Sequence, residues 1–281
     1  MCRRFEQQVV LISGATSGIG YATACQFLDE GARVVFCGLQ QDGATALCAR
    51  APEHTTWVNV DLRLPESCEA FVDAALGQYG HIDVIVNNAA SVTRGRIEQT
   101  DADFFDAMMA LNVRAPLLIT RHALASMRQN AHGAVVVNIG SLNAYVGAPE
   151  LLAYATSKGA LMTMTRNLAA AHRHEHIRFH CLNIGWTHTD GEDRLQKELN
   201  GPANWHIAAG KTRPTGVLLR PADIASAVLF YASPAAAPFS GAAVDLEQMP
   251  IDDLRGILAP RVPFCHAVTV VLANVHTHAY E

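Results

Sequence analysis

Short runs rich in β-branched and apolar residues recur along the chain, each followed by a longer amphipathic stretch. The runs fall at Val9–Ser13, Arg33–Cys37, Thr56–Val60, Val84–Asn87, Ala134–Ile139, Arg178–Leu182 and Ala242–Leu246. Runs that are apolar at successive positions suit strands covered on both faces, because neighbouring side chains of a strand point to opposite sides. The amphipathic stretches predict helices near Ile19–Asp29, Pro65–Tyr79, Asp101–Arg128, Leu152–His172 and Pro221–Ala232. Seven strands alternating with helices predict an α/β, doubly wound, mostly parallel sheet with helices on both faces.

Composition narrows the class. The chain has 281 residues, 50% of them hydrophobic and 17% charged, enough apolar material for one large core. No linker rich in Pro, Gly or Ser divides it, so a single domain is expected over residues 1–250, with 251–281 as a C-terminal extension. The net charge of -5 is spread without a basic patch, which argues against a nucleic-acid partner. No apolar run reaches the roughly 18 residues that cross a bilayer, and a polar start argues against a secretory signal. The seven cysteines are scattered and never spaced Cys-x-x-Cys, as in a reduced, cytoplasmic protein. His172-Arg173-His174-Glu175-His176 alternates its histidines and so cannot present them on one helix face. It reads as a solvated helix end, as does His276-Thr277-His278, and no metal is expected.

Chemistry concentrates in Tyr154-Ala155-Thr156-Ser157-Lys158, where a spacing of four puts a phenol and an ammonium on one helix face. An ammonium beside a phenol favours the phenolate, so Tyr154 is expected to exchange a proton below the ordinary pKa of about 10. After the first strand, Ser13-Gly14-Ala15-Thr16-Ser17-Gly18-Ile19-Gly20 opens a helix. Glycines there let the backbone approach a pyrophosphate at the helix N-terminus. Asp61, after the third strand, can accept a hydrogen bond from an adenine amino group, or simply cap a loop.

With these residues the chain resembles the short-chain dehydrogenase/reductase family, from about Val9 to Leu246. The family's Gly-x-x-x-Gly-x-Gly turn matches Gly14, Gly18 and Gly20. Its Asn-Asn-Ala-Gly turn reads Asn87-Asn88-Ala89-Ala90, with the last glycine replaced. Asn112, Ser141, Tyr154 and Lys158 match the catalytic set. In the Pro-Gly-x-x-x-Thr segment, Gly185 and Thr189 match and Ile184 departs. The resemblance implies a Rossmann-type fold and places an NAD or NADP cofactor against Gly14, Thr16, Ser17, Gly18, Ile19, Gly20, Gly38, Leu39, Asp61, Leu62, Asn88, Ala89, Tyr154, Lys158, Gly185, Thr187 and Thr189. NAD-preferring relatives usually carry an acidic residue near Gly38. NADP-preferring ones usually carry an arginine at Leu39 or a basic residue at Ser17. Neither device is present, so the preference stays open.

The resemblance further implies hydride transfer between nicotinamide and an alcohol or ketone carbon. Tyr154 would be the general acid/base, Lys158 would depress its pKa and hold the ribose, and Ser141 would bond the substrate oxygen. Asn112 would anchor a proton-relay water, and Thr189 would bond the carboxamide or else cap the next helix. Substrate contacts are expected from Ser91, Asn143, Tyr145, Trp186 and His188, with Thr93, Glu192 and Asp193 near them. A lid is expected over about 186–212. Polar groups near Ser141 lean weakly towards a polyol, sugar or hydroxy-acid. Two rivals stand beside this reading: an epimerase, dehydratase or enoyl-type reductase on the same scaffold, and a cofactor-binding regulator without turnover.

The C-terminus leaves the family pattern, continuing past Asp245-Leu246 for more than thirty residues with an apolar run at Val268–Val271. A homodimer or homotetramer is expected through the helices carrying Asn112 and Tyr154, using Leu117, Leu118, Leu161 and Met164.

Overall fold

In the computed structural model, which describes residues 3–250, strands and helices alternate as the hydrophobic pattern requires. The strands are β1 (Val9–Ser13), β2 (Arg33–Cys37), β3 (Thr55–Val58), β4 (Val84–Asn87), β5 (Ala134–Ser141), β6 (Ile177–Ile184) and β7 (Ala242–Leu246). The helices are α1 (Gly18–Asp29), α2 (Gln41–Arg50), α3 (Pro65–Tyr79), α4 (Ala102–Met109), α5 (Ala115–Met127), α6 (Leu152–Ala171), α7 (Asp190–Glu198), α8 (Trp205–Gly210) and α9 (Pro221–Ala232). The strands form one seven-stranded sheet in the order β3-β2-β1-β4-β5-β6-β7, every neighbouring pair parallel. The order reverses between β1 and β4, and in such sheets a crevice opens there beyond the carboxyl ends of the strands.

Successive residues of one strand feed opposite cores. Val10, Ile12, Val34 and Phe36 pack with Phe27 of α1, Leu47 of α2 and Val228 of α9. Val9, Leu11 and Val35 pack instead with Phe71 of α3, Ile119 of α5 and Phe179. Both faces are covered, which is why these strands carry no polar alternation.

Three local differences from the sequence expectation have tertiary causes. β5 and β6 run further than their apolar runs because Gly140 pairs with Asn183 and Ser141 with Ile184. A Cβ on Gly140 would stand 2.2 Å from the Asn183 Oδ1, so only glycine continues the strand there. The helix expected over Asp101–Arg128 is interrupted by a π-turn at Ala110–Arg114, centred on Asn112. Helices α2, α7 and α8 were not expected: α2 buries only Ala44 and Leu47, α7 buries no residue, and α8 has six residues. None offers an apolar stripe long enough to show in sequence. The extension 251–281, with Val268–Val271 and His276-Thr277-His278, lies outside the described residues.

Candidate active site

Glycine geometry builds the first cavity. Gly14 and Gly18 sit at φ +68° and +53°, in the left-handed region. A Cβ on Gly14 would come within 2.8 Å of the Ala89 Cα, and one on Gly20 within 2.2 Å of the Gly14 carbonyl oxygen. Asn88 fastens the turn by donating from Nδ2 to the carbonyls of Ser13 and Gly14 at 3.1 and 2.8 Å. The Ser13 hydroxyl accepts from the N–H groups of Asn88 and Ala89 at 3.0 Å each. No side chain caps α1 at Ser17. Its first N–H groups therefore remain available to an anion, and the crowded glycines bring that turn close. These features fit the pyrophosphate of a dinucleotide.

Beyond the turn lies a cavity of about 640 Å³, lined among others by Gly14, Ser17, Gly18, Ile19, Gly38, Leu39, Asp61, Leu62, Asn88, Ala89, Tyr154, Lys158 and Thr189. Four expected cofactor residues stand elsewhere. Thr16 turns inward, its hydroxyl donating to Gln40 Oε1 at 2.5 Å, and Gly20 is a packing position. Gly185 and Thr187 line a second cavity. Asp61 is clasped by Arg63, whose Nε reaches both carboxylate oxygens at 3.0 Å and whose Nη2 donates at 2.6 Å. That guanidinium holds the Asp61 carboxyl below the usual range. Arg63, unforeseen in sequence, lines the same cavity.

The second cavity, about 520 Å³, is lined among others by Ser141, Asn143, Tyr154, Gly185, Trp186, Thr187, Thr189, Glu192, Arg94, Arg213 and Glu247. Tyr154 lines both cavities, Lys158 only the first and Ser141 only the second. The phenol thus stands where the two meet. Its four-residue spacing from Lys158 on α6 does put both on one buried face, at 8% and 3% exposure.

The electrostatics run against the sequence expectation. Lys158 Nζ donates to the Ile139 carbonyl at 2.7 Å and lies 5.7 Å from the centre of the Tyr154 ring. Burial raises the Tyr154 pKa above its ordinary value; the Ser141 hydroxyl pulls it down and Glu192 adds to the rise. Burial also lowers the Lys158 pKa to about 8. In the protein alone, desolvation therefore outweighs the expected help from Lys158.

Asn112 is a brace. Its Oδ1 accepts from the Ser91 N–H at 2.8 Å, while Nδ2 donates to the Ser91 carbonyl at 2.9 Å and the Ser157 hydroxyl at 3.0 Å. The loop after β4 is thereby tied to α6, three residues from Tyr154. Ser141 accepts from Asn143 through the backbone N–H at 3.2 Å and Nδ2 at 3.3 Å. Thr189 is the N-cap of α7, its hydroxyl accepting from the Glu192 N–H at 3.1 Å.

The expected substrate residues divide. Asn143 and Trp186 line the second cavity, whereas Ser91 lines the first, where its hydroxyl bonds Thr93 at 2.9 Å. Tyr145 lines neither, because its hydroxyl accepts from Asn183 Nδ2 at 2.9 Å behind β6. His188 lines neither as well: it bonds Asp193 at 3.0 Å and stacks on His206 with ring centres 4.4 Å apart. His188, Asp193 and His206 carry ligand atoms within 4.8 Å of one another. The two rings are nearly parallel, at 9°, so their in-plane lone pairs do not converge on one ion. The cluster closes instead over Trp205, which stacks on Trp186 at 5.6 Å and donates to Asp193 at 2.9 Å. Arg94, Arg213 and Glu247 were missed in sequence, because single charged residues in loops carry no pattern.

Residues 14–247 match the profile of a family described as enoyl-(acyl carrier protein) reductase. L-fucose dehydrogenase of Mus musculus is 29% identical over 233 residues, covering 83% of this chain and 84% of its own. 2-(S)-hydroxypropyl-CoM dehydrogenase 3 of Xanthobacter autotrophicus is 31% identical over 248 residues, covering 86% and 96%. A 3-ketoacyl-(acyl-carrier-protein) reductase from Brucella melitensis, solved in complex with NADH, aligns with a TM-score of 0.75 at 29% identity, covering 85% of this chain and 96% of that one.

Proposed function

The chain belongs to the short-chain dehydrogenase/reductase family, and on that premise we propose that Tyr154 exchanges the proton in its reaction. The protein is an NAD- or NADP-dependent oxidoreductase acting on an alcohol or ketone carbon. Gly14, Gly18, Asn88 and Lys158 of the first cavity would hold the nucleotide, whose nicotinamide would supply or accept the hydride. The observation that carries the Tyr154 assignment is its place at the junction of the two cavities. A phenol there reaches a substrate oxygen on one side and a cofactor on the other.

Each remaining role follows from position. Ser141 on the substrate side would hydrogen-bond the reacting oxygen, held in place by Asn143. Lys158 on the cofactor side would bind ribose hydroxyls, and Asn112 would keep the β4 loop in register with α6. Thr189 lines both cavities and, as cap of α7, would set where the lid begins. Because burial keeps Tyr154 protonated, it is ready to donate to a ketone; alcohol oxidation requires that proton to leave.

The substrate reading is a small hydroxylated molecule. Polar groups around Ser141 support it, as does similarity to a protein named for L-fucose. We read residues 1–250 as one cofactor-binding and catalytic domain with a lid over about 186–212. The chain is expected to work in the cytoplasm as a homodimer or homotetramer, without a nucleic-acid partner. No described helix is long and apolar enough to cross a membrane. Leu117, 41% exposed on α5, suits a subunit interface, whereas Leu161 is buried within the protomer and does not. Light scattering that returned a monomer at micromolar concentration would refute the assembly. The activity is tested by Tyr154→Phe on a panel of sugars, polyols and hydroxy-acids with both nucleotides. Turnover should fall about 10²- to 10⁴-fold with nucleotide binding retained; near-normal turnover would refute the assignment.

A further inference from the structure

Arg213 is 6% exposed, yet it forms no ion pair with any carboxylate among the described residues. Its Nε is buried without a hydrogen-bond partner. Nη1 reaches only the Met249 sulfur at 3.6 Å, a weak acceptor, and the guanidinium lies over the Trp186 ring at 5.8 Å from its centre. Buried guanidinium groups ordinarily have a carboxylate or phosphate partner, since leaving the charge alone in a dry site is costly. Arg213 lines the second cavity together with Ser141 and Tyr154.

The carboxylates of that cavity are engaged elsewhere. Glu192 accepts from the Trp186 indole N–H at 3.2 Å and from Gln196 at 2.9 Å. Glu247 accepts from the backbone N–H groups of Trp186 at 3.3 Å and Gln248 at 2.7 Å. Glu150 stands 3.9 Å from Arg94, whose own Nε is also buried and unpartnered. Two arginines of the cavity wall thus keep unused donors, and the one carrying an uncompensated charge is Arg213. A planar fork of N–H donors matches a carboxylate, which it can bind through two parallel hydrogen bonds.

We infer that Arg213 recognises a carboxylate on the substrate, which makes the physiological substrate a hydroxy-acid or its keto-acid rather than a neutral sugar or polyol. The inference rests on the dehydrogenase reading for its carbinol end, which Tyr154 and Ser141 receive, and on Arg213 alone for its anionic end.

The test compares short straight-chain hydroxy-acids with their primary amides, which keep shape and lose charge. Wild type should favour the acid by about 10- to 100-fold in kcat/KM, and Arg213→Gln should bring the acid-to-amide ratio close to one. Arg213→Lys should keep part of the preference, having charge without the fork. Binding is measured separately by calorimetry on nucleotide-loaded protein with unreactive short-chain carboxylates, which should bind wild type and not Arg213→Gln. Because the ligand-free charge is uncompensated, Arg213→Met should melt no lower than wild type. Turnover of neutral alcohols with no acid preference and no carboxylate binding would overturn the inference. Carboxylate binding that depends on Arg213, without turnover of any alcohol, would uphold it and fell the dehydrogenase reading instead.

Discussion

The Lys158 ammonium lies over the face of the Tyr154 ring, 5.7 Å from its centre, and donates to the Ile139 carbonyl instead of the phenol. Both groups are buried, and burial pushes them towards the same end, a neutral phenol and a neutral amine. The spacing of four residues therefore makes the pair close, while the dry surroundings decide its charge.

Lys158 leaves a signature in stability. Its proton comes off near pH 8 in the folded protein and at the ordinary 10.5 when exposed. Between those values the unfolded chain binds more protons, so this group's contribution to stability rises with pH. The stability of wild type relative to Lys158→Met should rise from pH 7.5 to pH 10, by at most about 3 kcal/mol. Urea midpoints at the two values check it. A flat difference would mean that the ammonium is not desolvated.

Tyr154 leaves its mark in rate. In the proposed mechanism alcohol oxidation has the Tyr154 phenol accept the proton, and burial raises its pKa. The kcat/KM for oxidation should therefore climb with pH through the alkaline range, and the residual activity of Tyr154→Phe should lose that climb. A wild-type profile already level at neutral pH would contradict the raised value.

Two glycines should respond oppositely to alanine. At Gly20 a Cβ would meet the Gly14 oxygen at 2.2 Å and the Asn88 Nδ2 at 2.5 Å, so Gly20→Ala must push the turn apart. Nucleotide affinity should fall at least tenfold, read by calorimetry. Gly77, on the exposed side of α3, has nothing within 4 Å. Gly77→Ala should stabilise by about 0.5–1 kcal/mol through the lost backbone freedom of the unfolded chain. A drop in melting temperature there would refute that.

Nucleotide preference should be adjustable at Leu39 and resistant at Gly38. Leu39 is 78% exposed at the cavity, so Leu39→Arg adds a cation without displacing anything and should improve NADP over NAD by about tenfold. A Cβ on Gly38 would fall 2.3 Å from the Thr16 hydroxyl, which bonds Gln40. Gly38→Asp should therefore weaken both nucleotides, although an acidic residue there usually favours NAD in relatives. Michaelis constants for the two nucleotides decide the matter.

What the sequence determined by itself is everything that repeats or is spaced locally. The alternation of apolar runs with amphipathic stretches specified the parallel sheet, with β1, β2, β4, β7, α3 and α9 at their observed limits. The spacings within Gly14–Gly20 and Tyr154–Lys158 specified a tight glycine turn at the start of α1 and a phenol and an amine on one buried face of α6, since a fixed separation on a known element fixes direction. Only the tertiary structure decided which residues share an enclosure. Tyr145 and His188 have suitable chemistry but turn to Asn183 and Asp193, while Arg213 arrives in the second cavity from beyond the expected lid. It also decided the charge of the Tyr154–Lys158 pair, because desolvation depends on the packing of distant segments around a group and leaves no trace in local spacing.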